Sequence, residues 1–169
     1  PYFISSGNPN LKASTIHKIW WKEQYRFNNY GHWINSELTL TFIKNSISNR
    51  NTYFGELTYL PDLKYTAIAN STLSSYDNLN GAWKADWALS WIYPIVNIKS
   101  NLDILFLNTY EHTPYYYDNI QDIAEINSMR LGTRFSTNLI PRLRASVNWG
   151  IHYRQASNKV NDQTNRILT

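Results

Sequence analysis

Cysteine is absent from this chain of 169 residues, so neither a disulfide framework nor a thiolate metal site can form, and the redox compartment is left open. Charge is scarce: only 17% of residues are Asp, Glu, Lys or Arg. No apolar run approaches the roughly 18 to 20 residues that a membrane helix needs. The nearest, Trp87 to Val96, is interrupted by Ser90 and Pro94. A helical membrane protein is therefore excluded, whereas a membrane β-barrel, whose strands hide behind alternation, is not. The formal charge of +4 and pI near 9.2 come from 16 basic residues that form no block, so no nucleic-acid partner is expected. An initiator Met, a signal peptide, internal repeats and linkers are missing too. From Pro1 to the final "NRILT" the chain reads as one segment, residues 1–169, of something longer.

Catalytic machinery is equally thin. His17, His32, His112 and His152 lie far apart without a spacing such as His-Glu-x-x-His, and no Gly-rich phosphate loop or nucleophile motif occurs. Glu37, Asp86 and Asp103 could be read as catalytic carboxylates, but ion pairing with Lys84, Arg130, Arg134 or Arg144 is the expected role. The expectation is a protein that is not an enzyme and uses no cofactor or metal.

What the chain has instead is aromatic rings and amides. Trp 7, Tyr 13 and Phe 6 make 15% aromatics, and Asn, Ser and Thr take the places that Lys and Glu fill on an ordinary surface. These residues alternate. In "RLRASVNWGIHYR", Leu143, Ala145, Val147, Trp149, Ile151 and Tyr153 project from one side of an extended chain, and Arg142, Arg144, Ser146, Asn148, Gly150, His152 and Arg154 from the other. The same period of two runs through Thr15 to Phe27 (Glu23 excepted), through Ile34 to Phe42, through Trp83 to Tyr93 and through Ser128 to Leu139. Ser100 to Tyr110 is less clean, since Leu105 and Leu107 share a face with Asp103.

The pattern predicts an all-β, antiparallel up-and-down meander of about six long strands, near 15–28, 33–59, 64–93, 99–112, 122–139 and 142–156. The second and third run past the length of a single membrane crossing, so an eight-strand division, with turns near Pro61 and Asp77, is the alternative. Short connections at Asn28 to His32, Pro94 to Ile98 and Ile140-Pro141 alternate with long polar ones at "NRNTYFGELTYLPDLK", "HTPYYYDNIQDIAEI" and "QASNKVNDQTNR". Within the second, "DNIQDIAEIN" is the one stretch expected to form a helical turn or two.

Alternation alone leaves two solvents open. A soluble barrel or sandwich, binding a ligand on its own, would bury the apolar side chains in a core. A transmembrane barrel would turn them to lipid and the polar ones to a wet lumen. Three features favour the second. Thirteen residues, Arg142 to Arg154, extend about 43 Å and, tilted near 40°, rise about 33 Å, enough for an apolar band of about 25 Å. The apolar faces end in aromatics, among them Tyr25, Phe27, Trp91, Tyr93, Tyr110 and Tyr153, as an interfacial girdle requires. Short turns alternate with long loops.

The opening "GNPNLKAS", Gly7 to Ser14, resembles the Gly-Asn-Pro-x-Leu-Lys-Pro-Glu signature of TonB-dependent outer-membrane receptors, with Ala13 and Ser14 in place of Pro-Glu. The later "YDNLNGAWKADWALSW" is similar to the Tyr-x-Asn segment that leads into a further strand of that family. The resemblance covers nearly the whole chain and is closest in style to the Bacteroidetes branch. It implies a segment of the C-terminal part of a closed barrel of about 22 strands in the bacterial outer membrane, importing a siderophore, cobalamin, glycan or peptide. It also implies partners: the lipid bilayer, the remaining strands and plug of the same receptor, the energy-coupling TonB complex acting through parts absent here, and a surface lipoprotein. Two groups of residues follow as candidates. Tyr115, Tyr116 and Tyr117, in a long loop, are candidate ligand contacts, weighed against a loop that packs on its neighbours. Lys84, Asp86, Arg130, Arg134 and Arg144 are candidate polar residues of the lumen wall. The Trp83, Trp87, Trp91 ladder is expected on the apolar wall, not on a sugar platform.

Overall fold

The computed structural model describes residues 2–27, 31–117, 119–138, 145–158 and 163–169. It is all-β. Twelve strands are present among these residues: β1 (Tyr2–Ser5), β2 (Thr15–Phe27), β3 (His32–Lys44), β4 (Ser46–Phe54), β5 (Thr58–Leu60), β6 (Tyr65–Ala67), β7 (Ser71–Leu79), β8 (Ala82–Ile95), β9 (Ser100–Tyr117), β10 (Ile120–Thr137), β11 (Ala145–Asn158) and β12 (Gln163–Leu168). Seven form one antiparallel sheet in the order β12-β11-β10-β9-β8-β3-β2. This is a meander of neighbours, except that the chain leaves it between β3 and β8. The excursion builds a ribbon, β4 against β7, whose outer edge is covered by β1 running parallel to β7.

The ribbon is the continuation of β3 and β8 beyond a paired interruption. Asn45 (φ 55°) breaks one strand and Gly81 (φ 95°) the other, and the Asn45 N–H donates to Asn80 Oδ1 at 3.0 Å. Asparagine tolerates the left-handed region through local side-chain hydrogen bonds, and glycine enters it without a Cβ clash. At the opposite end of the sheet, β8 and β9 are joined by a single 3-10 turn, Val96–Ile98.

The ladders settle which residues share a face. Across β2, β3, β8, β9, β10 and β11 one row reads Trp21, Leu38, Trp87, Asn108, Met129, Tyr153, and the next Glu23, Ser36, Leu89, Phe106, Leu131, Ile151. The opposite face carries Lys22, Glu37, Ala88, Leu107, Arg130, His152 and, one row on, Gln24, Asn35, Ser90, Leu105, Gly132, Gly150. The alternation expected from the sequence is therefore the facing of the sheet, including Glu23 on the apolar side and Leu105 and Leu107 on the polar one.

Among the described residues nothing covers the apolar face. Among the described residues the only buried apolar side chains are Ala67, Leu79 and Ala82, while Trp21, Tyr25, Trp149 and Val147 stand 49%, 59%, 57% and 70% exposed. A globular domain buries one layer of secondary structure against another; this sheet is a single layer.

Four local expectations are corrected. "DNIQDIAEIN" is strand, in β10, because pairing with β9 supplies its backbone hydrogen bonds. "HTPYYYDNIQDIAEI" is not a long loop: β9 and β10 run on to a tight turn that includes Asn119 (φ 65°). Asp77 lies inside β7 and the break comes at Asn80-Gly81, whereas the turn near Pro61 is present as a 3-10 turn between β5 and β6. The stretch after "QASN" carries a further strand, β12. The expected Ile140-Pro141 turn, the first part of the Asn28 to His32 turn and Arg142 to Arg144 lie outside the described residues.

Candidate functional site

The polar face of the sheet carries most of the charged side chains, and its two halves differ. On β2, β3, β8 and β9 two cations meet carboxylates, Lys22 with Glu37 at 3.6 Å and Lys84 with Asp86 at 3.2 Å and Glu111 at 3.3 Å, while Lys18 and Arg26 on the same face form no ion pair among the described residues. Trp20 Nε1 donates to Glu37 and Thr109 Oγ1 to Asp86, completing the network. Of the carboxylates weighed as catalytic, Glu37 and Asp86 are thus held by cations. Asp103 stands opposite Arg134 in the ladder yet makes no ion pair with it. Lys84, Asp86, Arg130 and Arg134 all occupy the polar face of the sheet; Arg144 lies outside the described residues. The expected pairing of Arg130 and Arg134 with carboxylates is corrected: neither forms one among the described residues.

Between these two arginines the wall is hollow. Gly132 and Gly150 are direct partners in the β10–β11 ladder, and a cavity of about 440 Å³ is bordered by both arginines and both glycines; a second, of about 500 Å³, adjoins it beyond Arg130, on the side away from Arg134. His152 closes one end, its Nε2 lying 2.9 Å from Ser128 Oγ.

The apolar face has aromatics at its two ends. Tyr25 and Phe27 meet at 4.5 Å, His32 and Tyr93 at 4.2 Å, and Trp91 and Tyr93 at 5.8 Å beside the short turn. At the other end Trp83 stacks between Tyr110 at 5.1 Å and His112 at 5.8 Å. Trp83 and Tyr93 lie on one strand ten residues apart, about 33 Å of chain and, tilted near 40°, about 25 Å of height. Of the polar groups within that band, Asn108 donates to Asn127 at 2.9 Å and Trp87 Nε1 to Ser36 at 3.0 Å, while Glu23 makes no hydrogen bond or ion pair among the described residues.

Beyond the Trp83 end lie the three tyrosines. They are strand residues at the tip of β9, not loop residues, and two of them are engaged. Tyr116 donates to Asp77 at 3.3 Å, and the Arg50 guanidinium sits 5.3 Å from its ring centre. Arg50 Nε and Thr52 Oγ1 both donate to Asn119 Oδ1, at 2.8 and 2.7 Å, so the β4–β7 ribbon is strapped to the β9–β10 tip. Tyr115 donates to Asp122 at 2.7 Å. That bond, with burial adding to it, pushes the Tyr115 phenol up to about 12. Burial and the Asp77 carboxylate also raise Tyr116, against the opposing pull of Arg50. Tyr117 is half exposed and is the one of the three open to contact.

A clasp joins two motifs that lie far apart in sequence. Asn8 Nδ2 donates to the Tyr76 carbonyl at 2.9 Å. Asn78 Oδ1 accepts the Lys12 N–H at 2.6 Å, while its Nδ2 donates to the carbonyls of Lys12 and Asn45, both at 3.0 Å. "GNPNLK" and "YDN" therefore bind each other at the base of the ribbon. A cleft of about 450 Å³ opens beside them, edged by Pro9, Arg50, Asp62, Tyr76 and Asp77.

Sequence reasoning missed Arg50, Asp77, Asn78 and Asn119 as strap and clasp residues, since single polar residues in a polar stretch carry no periodic signal. Gly132 and Gly150 could have been found, because both fall on polar-face positions of alternating strands. Compared with known proteins the chain finds no counterpart: no family model, no curated protein and no solved structure matches it.

Proposed function

We propose that the chain is part of the wall of a bacterial outer-membrane β-barrel of the TonB-dependent receptor kind, a transporter segment and not an enzyme. One observation carries this reading: a single-layer sheet whose apolar face is uncovered and bounded at both ends by aromatics about 25 Å apart in height. Lipid is the medium that fits such a face, and water the medium for the other. A soluble ligand-binding domain would need a second layer over Trp21, Trp87 and Trp149, and the described residues supply none. The clasp supports the finer assignment, because the two segments that carry the family resemblance are those that bind each other.

In this reading β2 and β12 are the open edges where further strands of the same receptor continue the barrel. The polar face lines the lumen that a plug fills, and the ribbon with the β9–β10 tip stands outside the cell. There a nutrient of the siderophore, cobalamin, glycan or peptide class is met, with or without a surface lipoprotein, and uptake is driven by the TonB complex. The test is the intact mass of the polypeptide in its native membrane fraction. A mass several times 19.9 kDa in the outer membrane is expected; a species near that mass in the soluble fraction would overturn the reading.

A further inference from the structure

The hollow between Arg130 and Arg134 is a site in its own right. Three independent observations converge on it. First, the carboxylates of the polar face are distributed unevenly. Lys22 and Lys84 are matched by carboxylates on the β2–β9 half. On β10 and β11 the described polar-face positions from Ala124 to Ser136 and from Ser146 to Asn158 include Arg130, Arg134 and Arg154 and no Asp or Glu. Second, both Arg130 and Arg134 are exposed on that face and free of ion pairs among the described residues.

Third, the floor is lower than the backbone requires. A Cβ on Gly150 would meet the Leu131 carbonyl oxygen at 3.1 Å, so packing explains that glycine. A Cβ on Gly132 would find nothing nearer than 3.9 Å, and the residue is ordinary extended strand. Glycine weakens a strand interior, and nothing in the surroundings of Gly132 demands it. What its missing side chain leaves is open depth between two guanidiniums four residues apart, about 13 Å along the strand.

The geometry points to a binding site for a multiply charged small anion, carrying carboxylate or phosphate groups, seated on the Gly132 floor and held at its ends by Arg130 and Arg134. Guanidinium is suited to both groups because its planar fork donates two parallel hydrogen bonds to an oxyanion. Asn148 and Asp103 flank Arg134 in the ladder and border the hollow, and His152, opposite Arg130, adds a polar group on its far side. The proposal rests on the transporter reading in placing this face toward the lumen, in a part of it that the plug leaves open to water.

The test is calorimetric titration of the full-length protein, purified in the form in which it occurs, with citrate and with pyrophosphate as separate probes. Saturable binding of at least one is expected, weakening with added salt; which one binds separates the carboxylate source from the phosphate source. Arg130→Gln with Arg134→Gln should weaken binding by about tenfold or more, while the paired Lys variants should lose less. Gly132→Leu keeps every charge and fills the floor, and should abolish binding. Binding by neither probe, or unchanged binding in the Gln pair, overturns the site; should Gly132→Leu fail to fold, the exposed Gln pair decides alone. Membrane partition of the same preparation is scored separately. A membrane protein that binds no anion refutes this site and leaves the barrel, whereas a soluble protein that binds one does the reverse.

Discussion

Asn78→Ala is the substitution with the most to say about how the molecule is held together. The side chain makes three hydrogen bonds at the base of the ribbon, one accepted from Lys12 N–H and two donated to the carbonyls of Lys12 and Asn45. A hydrogen bond of this kind contributes about 0.5–1.5 kcal/mol net, so the three together lie between about 1.5 and 4.5 kcal/mol. Because the site is only half-buried, water re-satisfies part of what is lost, and the lower half of that range applies, about 2 kcal/mol. That corresponds to about thirtyfold more frequent opening of the segment from Gly7 to Ser14. Hydrogen–deuterium exchange on the full-length protein reads it directly, as loss of protection in the peptide that contains Lys12, with the sheet strands unchanged. Asn78→Asp should be no better than Ala, since it replaces the donor with an acceptor facing two carbonyls. Unchanged exchange at Lys12 in the Ala variant would refute the clasp.

Other outcomes follow from the same geometry. Gly150→Ala should destabilise the sheet by about 1–3 kcal/mol, because its Cβ is forced against the Leu131 carbonyl; Gly132→Ala should not, and urea unfolding of the folded protein compares the two. Leu38→Arg on the apolar face should cost about 2–4 kcal/mol, and Thr39→Arg on the polar face far less, by the same assay in lipid. Absorbance titration of tyrosinate should show one group ionising near pH 12 that Tyr115→Phe removes. Since the folded pKa lies above the unfolded value, the Tyr115–Asp122 bond stabilises fully below about pH 10 and loses its contribution as pH rises toward 12.

Much of this was legible in the sequence because a strand's period is an integer. Once Trp83, Trp87 and Trp91 alternate with Lys84, Ala88 and Ile92, the facing is set before any partner is known, and the ladders carry that facing across the sheet. Where local pattern and long-range pairing disagreed, pairing won. Ile120, Ile123 and Ala124 fall at helical spacing, yet they lie in β10 because β9 satisfies their backbone. Tyr115 to Tyr117 follow a proline and read as loop, but the hairpin runs on until Asn119 adopts a left-handed conformation that a turn can use. The interruption at Asn45 and Gly81 was invisible for a related reason. Alternation resumes on both sides of it, and only the register shows that the chain has left the sheet for the ribbon. The hollow at Gly132 needed two strands at once, since neither glycine alone marks a depression.

The central claim is that the apolar face lies in lipid. Five of the seven tryptophans, Trp21, Trp83, Trp87, Trp91 and Trp149, project from that face, and Trp20 and Trp33 from the other. Tryptophan fluorescence of the full-length protein reconstituted in phosphatidylcholine brominated along the acyl chain tests it most directly. Replacing Trp87 by Phe should remove a strongly bromine-quenched component, and replacing Trp20 by Phe should leave the quenched component intact. Equal quenching of Trp87 and Trp20, or no quenching at Trp87, would contradict the account.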